Sequence, residues 1–312
     1  MNEIIKVNNL NKSFKKNQAV KNVSFDVMEG EVLCILGPNG AGKSTTINML
    51  TTAMQSDGGE VFWNASAIVH DTKAYKQTLG IVPQDIAVYE ELSAERNIAF
   101  FASLYGLKGD RLKAAVDDAL EFAGLTEHRG DKVKTFSGGM KRRLNIACAI
   151  AHKPSVIIMD EPTVGIDPQS RNHILSSIRQ LRAQGATVIY TTHYMEEVEE
   201  ISTRIIIMDH GQIIAEGTKE ELKEQLADEK LYRMDVERAN ALDSKKLYRI
   251  EGVKEAGLED NCLKVSVLKG IENLDKIIAM LIDSGVKINN ISSDTASLEM
   301  VFLKLTGRTL RD

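Results

Sequence analysis

Short apolar runs alternate along this chain with stretches whose apolar residues recur at helical spacing, and together they predict an α/β protein. Residues 4–10 and 20–27 read as strands, with Ile4, Val7, Val20, Val23, Phe25 and Val27 at the apolar positions and lysine-rich polar residues between them. Residues 32–36 are apolar throughout and lead through a glycine-rich loop into a segment from Ser44 to Met54 that can be helical. Residues 59–63 and 79–84 read as further strands, the second ending at Gln84. Leu92, Ile98, Phe101 and Leu104, then Leu112, Val116 and Leu120, predict two helices over 92–105 and 110–123, punctuated by Gly106 and Gly109. Residues 156–160 and 186–192 read as buried parallel strands, with a helix over 169–183 between them. A hairpin over 203–208 and 211–215 closes this part of the chain.

From about residue 228 the pattern changes. Residues 231–236 and 263–267 alternate as strands do, and 286–291 is another strand. Ile271, Leu274, Ile277, Ile278, Leu281 and Ile282 mark one face of a helix, and a last amphipathic helix runs over 297–305. This predicts a small α+β domain over 228–312, and no catalytic constellation stands out in it.

Composition narrows the class. The chain has 312 residues, 43% hydrophobic and 27% charged, as expected of a globular protein with a substantial core. Its net charge of −5 gives no overall basic surface for nucleic acid, so no nucleic-acid partner is expected. The three cysteines have no metal spacing; Cys34 and Cys148 sit in apolar runs and read as buried thiols of a reducing cytosol. The N-terminus begins a strand rather than a signal peptide, and no apolar stretch has the length of a membrane span. Work at a membrane would therefore go through a partner, from the cytoplasmic side.

The chemistry starts at Gly37-Pro38-Asn39-Gly40-Ala41-Gly42-Lys43-Ser44-Thr45, which fits the P-loop pattern between a strand and a helix. Its glycines let several N–H groups point inward, and the following helix adds the positive end of its dipole. Lys43 supplies a point charge for β- and γ-phosphates, and Ser44 offers a hydroxyl to Mg²⁺. Asp160 ends a buried strand and can hold Mg²⁺ through water, while Glu161 is placed to orient and polarise the attacking water. Ser137-Gly138-Gly139 opens a helix and reads either as a second anion site or as an ordinary capped helix. Phe14 can stack on an adenine or cover a sheet edge. Gln84 can reach a metal-bound water, pass a signal to a neighbour, or be a solvated turn residue. Asp167 with Pro168 reads as a helix start, and His193 follows a strand whose end is where open sheets place ligands. Glu196, Glu197, Glu199 and Glu200 read as a solvated acidic helix face.

Taken in order, these residues over about 3–225 resemble the nucleotide-binding subunit of ATP-binding cassette (ABC) transporters. Gly37 to Thr45 is similar to the Walker A loop, Gln84 to the Q-loop and Phe136-Ser137-Gly138-Gly139-Met140 to the signature motif. Residues 156–161 resemble Walker B with its catalytic acid, Gly165-Ile166-Asp167 the D-loop and His193 the H-loop. Phe14 takes the place of an aromatic that is often tyrosine. Phe136 and Met140 depart from the usual leucine and glutamine, and with the Lys-Arg-Arg that follows they resemble the subgroup of daunorubicin- and sodium-type exporters and ABC-A-like proteins. The close of the chain, from Ser297 to Gly307, resembles the appendage of that subgroup, with Met300 where an acid often stands.

The resemblance implies a P-loop cassette over 1–227, with an antiparallel β subdomain and a helical subdomain over about 85–152. The small domain over 228–312 would serve dimerisation or regulation. It implies an ATPase that binds MgATP between two cassettes facing head to tail, identical or related. ATP would contact Phe14, the loop 37–45 and Gln84 of one chain, and Ser137, Gly138 and Gly139 of the other. Glu161, His193 and Lys43 would be catalytic, and Ser44, Gln84 and Asp160 would serve the metal. A polytopic membrane permease would be the partner, with this chain peripheral to the membrane, and the work would be export. The alternative is a soluble ABC-type ATPase acting on ribosomes or nucleic acid. Ribosomal forms usually carry two cassettes joined by a charged linker, which is not seen here. The interval from Lys43 to Ser137 is too short for the coiled-coil insertion of the DNA-repair type, and a small-molecule kinase would leave the signature motif unexplained.

Overall fold

The structure, a computed structural model, describes residues 2–15, 17–224, 229–237, 244–259, 261–295 and 297–307. The chain divides into two compact units, residues 1–214 and 215–312. The boundary expected at 227/228 lies outside the described residues.

The first unit opens with two long strands, β1 (Glu3–Phe14) and β2 (Asn17–Met28), which pair antiparallel around a tight hairpin. Both run past the expected ends because the polar tips are held by pairing rather than by burial. β3 (Val32–Leu36) leads to α1 (Lys43–Leu50), then to β4 (Gly58–Trp63), β5 (Ser66–Ala67), α2 (Thr72–Gln77) and β6 (Leu79–Val82). Three helices follow: α3 (Ala94–Leu104), α4 (Gly109–Phe122) and α5 (Gly138–Ile150). β7 (Val156–Asp160), α6 (Pro168–Ala183), β8 (Thr187–Thr192), α7 (Met195–Ile201), β9 (Arg204–Asp209) and β10 (Gln212–Gly217) complete the sequence of elements up to the second unit.

These strands form two sheets. One is antiparallel, in the order β2-β1-β4-β5. The other has six strands in the order β10-β9-β3-β8-β7-β6, and β6, β7, β8, β3 and β9 run parallel. Every residue of β3, β7 and β8 is buried, which explains their apolar runs: a sheet covered on both faces has no polar side to alternate with. Ile5, Val7 and Val23 of the antiparallel sheet share one core with Ile35, Ile47, Leu50 and Ile158. α3, α4 and α5 enclose a second core around Ile98, Leu120, Val133, Phe136 and Leu144. Because the central strands are parallel, the segments after β3, β6, β7 and β8 all leave at one edge, where open α/β sheets hold ligands.

The second unit begins within β10 and includes α8 (Lys219–Glu224). β11 (Glu229–Glu237), β12 (Val253–Glu259), β13 (Cys262–Leu268) and β14 (Lys287–Thr295) form an antiparallel sheet in the order β12-β13-β11-β14. α9 (Leu274–Asp283) packs Ile277 and Leu281 onto Tyr232, Met234 and Val265 of this sheet. α10 (Leu298–Thr306) sets Glu299 against Arg233 at 2.7 Å and against Lys264. Among the described residues no helix is long and apolar enough to cross a membrane.

Candidate functional site

The loop from Gly37 to Gly42 is fixed by backbone on either side. A Cβ on Gly37 would lie 2.3 Å from the Met208 carbonyl oxygen, and one on Gly42, at φ 101°, would lie 2.5 Å from that of Ala19. These two glycines are needed for close packing, in addition to the phosphate access that the sequence suggests. A cleft of about 310 Å³ opens over the loop, lined by Phe14, Asn39 through Thr45, Gln84 and Glu161. Phe14 stands at the end of β1 and is 44% exposed, so its ring covers no core and is available for stacking.

Six side chains meet beside this loop. Lys43 is buried; its Nζ donates to the carbonyls of Gly37 (2.7 Å) and Pro38 (3.1 Å) and pairs with Glu161 Oε1 at 2.8 Å. His193 Nδ1 lies 3.3 Å from Glu161 Oε2, within ion-pair distance but not aligned as a hydrogen bond. Ser44 Oγ donates to Asp160 Oδ1 at 3.1 Å, and Thr191 Oγ1 donates to the same oxygen at 2.6 Å. Glu161 sits at φ 44°, a left-handed conformation that non-glycine residues rarely adopt. Its N–H is held by both the carbonyl (3.2 Å) and the hydroxyl (2.9 Å) of Thr191. Such strain persists where the surroundings over-determine it. Burial pushes the Glu161 carboxyl up, but His193 and Lys43 outweigh that and hold it at about 2. It is therefore a fixed carboxylate at neutral pH.

Ser137, Gly138 and Gly139 do not line this cleft. Ser137 caps α5 by accepting from Met140 N at 3.2 Å, and Phe136 is buried in the helical core. The two glycines differ. A Cβ on Gly139 would meet Ser170 Oγ at 2.0 Å and Ser170 Cβ at 2.7 Å, whereas one on Gly138 would meet nothing within 4 Å. Gly139→Ala is thus expected to destabilise the fold by about 1–3 kcal/mol through overpacking. Gly138→Ala should melt at or slightly above the parent temperature, since alanine favours a helix. Thermal unfolding of the two variants checks this, and equal melting temperatures would contradict it.

Arg142 is a site residue that sequence reasoning passed over as part of a basic run. It is buried, and its guanidinium donates to the carbonyls of Pro83 (2.7 Å) and Gln84. Asn145, one turn on, accepts from Ala87 N at 3.3 Å. α5 therefore carries the Gln84 loop on its side. Arg142→Ala would orphan two carbonyls at a cost of roughly 1–3 kcal/mol. The expected result is a lower melting temperature together with faster proteolysis near residues 83–87. Among the acidic residues of α7, Glu196, Glu199 and Glu200 are exposed as expected, but Glu197 is buried. Hydroxyls of Thr163, Tyr190 and Thr192 hold its carboxylate inside.

Comparison with known proteins gives the family. A family model described as ABC transporter matches residues 20–164. The chain is 42% identical over 313 residues to the linearmycin resistance ATP-binding protein LnrL of Bacillus subtilis (strain 168), covering 99% of this chain and all of that one. It is 32% identical to the daunorubicin resistance ATP-binding protein DrrA3 of Streptomyces coeruleorubidus, covering 97% and 96% of the two chains. Among solved structures it resembles cbiO1 from Clostridium perfringens, part of the ABC transporter complex cbiONQ, with a TM-score of 0.66 and 29% identity over 72% of this chain and 92% of that one. It also resembles the dimeric post-hydrolysis ATP-binding cassette MJ0796 bound to ADP and Pi, with a TM-score of 0.63 and 27% identity over 69% and 98%. A P-loop cleft with Lys43, Asp160, Glu161 and His193 gathered beside it, on a chain that matches such relatives from end to end, belongs to the ABC transporter family as an ATP-binding, ATP-hydrolysing subunit.

Proposed function

We propose that this chain powers export through a separate membrane permease, and that it does so as one of two cassettes facing head to tail. The observation that carries this reading is the surface beside the Gln84 loop. Ile86, Tyr89, Phe100 and Leu104 are exposed there, and the rings of Tyr89, Phe100 and Phe101 cluster at 5.1–6.2 Å. Exposed apolar surface of this kind marks a contact with a partner. Arg142 ties the same segment to the signature helix, so movement of α5 on nucleotide binding would reach it directly. Export is favoured by the relatives, which are resistance proteins for linearmycin, daunorubicin and doxorubicin and Nod factor export proteins.

The separation of Ser137 and Gly138 from the chain's own cleft supports a shared site, in which each signature helix serves the partner's nucleotide. The dimeric MJ0796 cassette supports the same arrangement. Lys43 would take β- and γ-phosphate oxygens, Phe14 would stack on the base, and loop N–H groups would cradle the phosphates. Ser44 and Asp160 are hard oxygen donors 3.1 Å apart, which fits Mg²⁺, an ion usually held by one or two carboxylates together with water and substrate phosphates. Gln84, on the cleft wall, is the remaining candidate for that ion. Bound there, Mg²⁺ would neutralise charge on the transferred phosphate. Glu161 would orient the attacking water, and His193 would contact the γ-phosphate and stabilise developing charge. The region 228–312 would serve dimerisation or regulation; a chain lacking it that assembled and turned over normally would remove that role.

The test is a pull-down. The Glu161→Gln chain is tagged, expressed in its native cell and extracted gently from membranes with MgATP present. A stoichiometric polytopic membrane protein is the expected companion. Ribosomes or nucleic-acid proteins in its place would overturn the transporter reading in favour of a soluble ABC-type ATPase.

A further inference from the structure

Glu197 is a buried carboxylate with no part in the hydrolytic chemistry described so far. It lies in the first turn of α7 with its side chain 1% exposed. Its Oε1 accepts from Thr163 Oγ1 at 2.6 Å, and its Oε2 accepts from Tyr190 OH at 2.8 Å and Thr192 Oγ1 at 2.7 Å. Arg171 Nε of α6 stands 3.6 Å from Oε1. A charge so far from water is tolerated only when it is paired and hydrogen-bonded, and this one has three hydroxyl donors and a nearby guanidinium.

The donors come from the turn after β7 and from the end of β8, two segments that the mechanism needs in register. Thr192 precedes His193, and its hydroxyl oxygen also accepts from Tyr194 N at 3.0 Å, so His193 is held from both sides. Arg171 lies over the Tyr194 ring at 4.7 Å, and that ring lies 4.2 Å from the ring of His193. Thr163 stands two residues after Glu161, in a turn closed by Val164 N to Glu161 O (3.3 Å) and Ile166 N to Thr163 O (3.1 Å). One carboxylate thus grips the turn after Glu161 and the residue before His193, whose side chains stand 3.3 Å apart. Three donors on two oxygens require a group that only accepts; a glutamine would turn an N–H₂ toward at least one of them.

We propose that Glu197 is a positioning residue for hydrolysis, holding the Glu161 turn and the His193 loop at the separation that turnover needs. The inference rests on Glu161 and His193 acting as the hydrolytic pair.

The experiment uses the full chain assembled with its permease, and reads kcat, KM for ATP and melting temperature. Thr163→Val, Thr192→Val and Tyr190→Phe each remove one hydroxyl from the same carboxylate with little change of shape. Glu197→Gln, Thr163→Val and Thr192→Val are expected to lower kcat roughly tenfold or more with KM within about twofold. Tyr190→Phe leaves both threonines on the carboxylate, so it should lower the melting temperature but keep kcat within about twofold. In a His193→Ala background, Thr192→Val should cost nothing further, because the residue it positions is gone. If Glu197→Gln does not fold, the two threonine variants carry the test alone. Parental kcat in either of them, with a lowered melting temperature like that of Tyr190→Phe, would overturn the inference and leave Glu197 a stability residue. Undiminished turnover by Glu161→Gln would instead sink the reading beneath it.

Discussion

Glu161→Gln is expected to bind ATP as the parent does, to lose roughly 10²–10⁴-fold in turnover, and to accumulate as an ATP-bound dimer. The substitution keeps the side chain's shape and removes a carboxylate beside the cleft that can accept a proton from water while already fixed in place. Its backbone is strained at φ 44° and its N–H is doubly held by Thr191, so the side chain has little freedom to be replaced by a neighbour. Binding should survive because the phosphate contacts come from the loop and Lys43. Phosphate release, titration with a fluorescent ATP analogue, and size-exclusion chromatography with MgATP read the three parts separately; normal phosphate release would remove Glu161 from the role. The same carboxylate leaves a signature in acid. Held at about 2 against an ordinary value of 4.5, it contributes stability that is fully present above pH 4.5 and is lost as pH falls toward 2. Melting curves without nucleotide should therefore fall more steeply with acid for the parent than for Glu161→Gln.

Much of this site is legible in the amino-acid sequence alone, and the reason is physical. Phosphate binding needs a glycine loop between a strand and a helix, so the residues that do the chemistry are consecutive from Gly37 to Thr45. A parallel sheet buried on both faces writes its strands as largely apolar runs, and the polar residue at the end of β7, Asp160, and the one just after β8, His193, are marked by the contrast. Contacts made across the fold leave no such mark. Arg142 sits in Lys141-Arg142-Arg143, where two side chains are partly exposed and the middle one is buried against carbonyls some 59 residues earlier. Glu197 looks like its exposed neighbours because the hydroxyls that hold it come from β8 and from the turn after β7. β12 is illegible for a simpler reason: Val253-Lys254-Glu255-Ala256-Gly257-Leu258-Glu259 has too few apolar residues to alternate, and it is ordered by pairing with β13.

Lys43→Ala should weaken ATP binding by at least about tenfold, since a charge-assisted contact to phosphate contributes roughly 1.5–3 kcal/mol. It should also destabilise the chain without nucleotide, which a residue serving only ATP would not do. The Lys43 ammonium is buried and faces Glu161 Oε1 at 2.8 Å; without it the carboxylate keeps His193, and one of the two groups that oppose the upward push of burial is gone. Breaking one side of a buried pair costs about 3–5 kcal/mol, whereas replacing both sides can cost little. The two losses can therefore be told apart. Lys43→Ala combined with Glu161→Gln should recover most of the melting temperature lost by Lys43→Ala alone, because no charge is left orphaned, yet should bind ATP no better. Additive melting-temperature losses in the double variant would mean that the 2.8 Å contact carries no coupling. Recovery of stability without recovery of binding would show Lys43 in two separate employments: one partner for the carboxylate while the loop is without nucleotide, another for phosphate once it arrives.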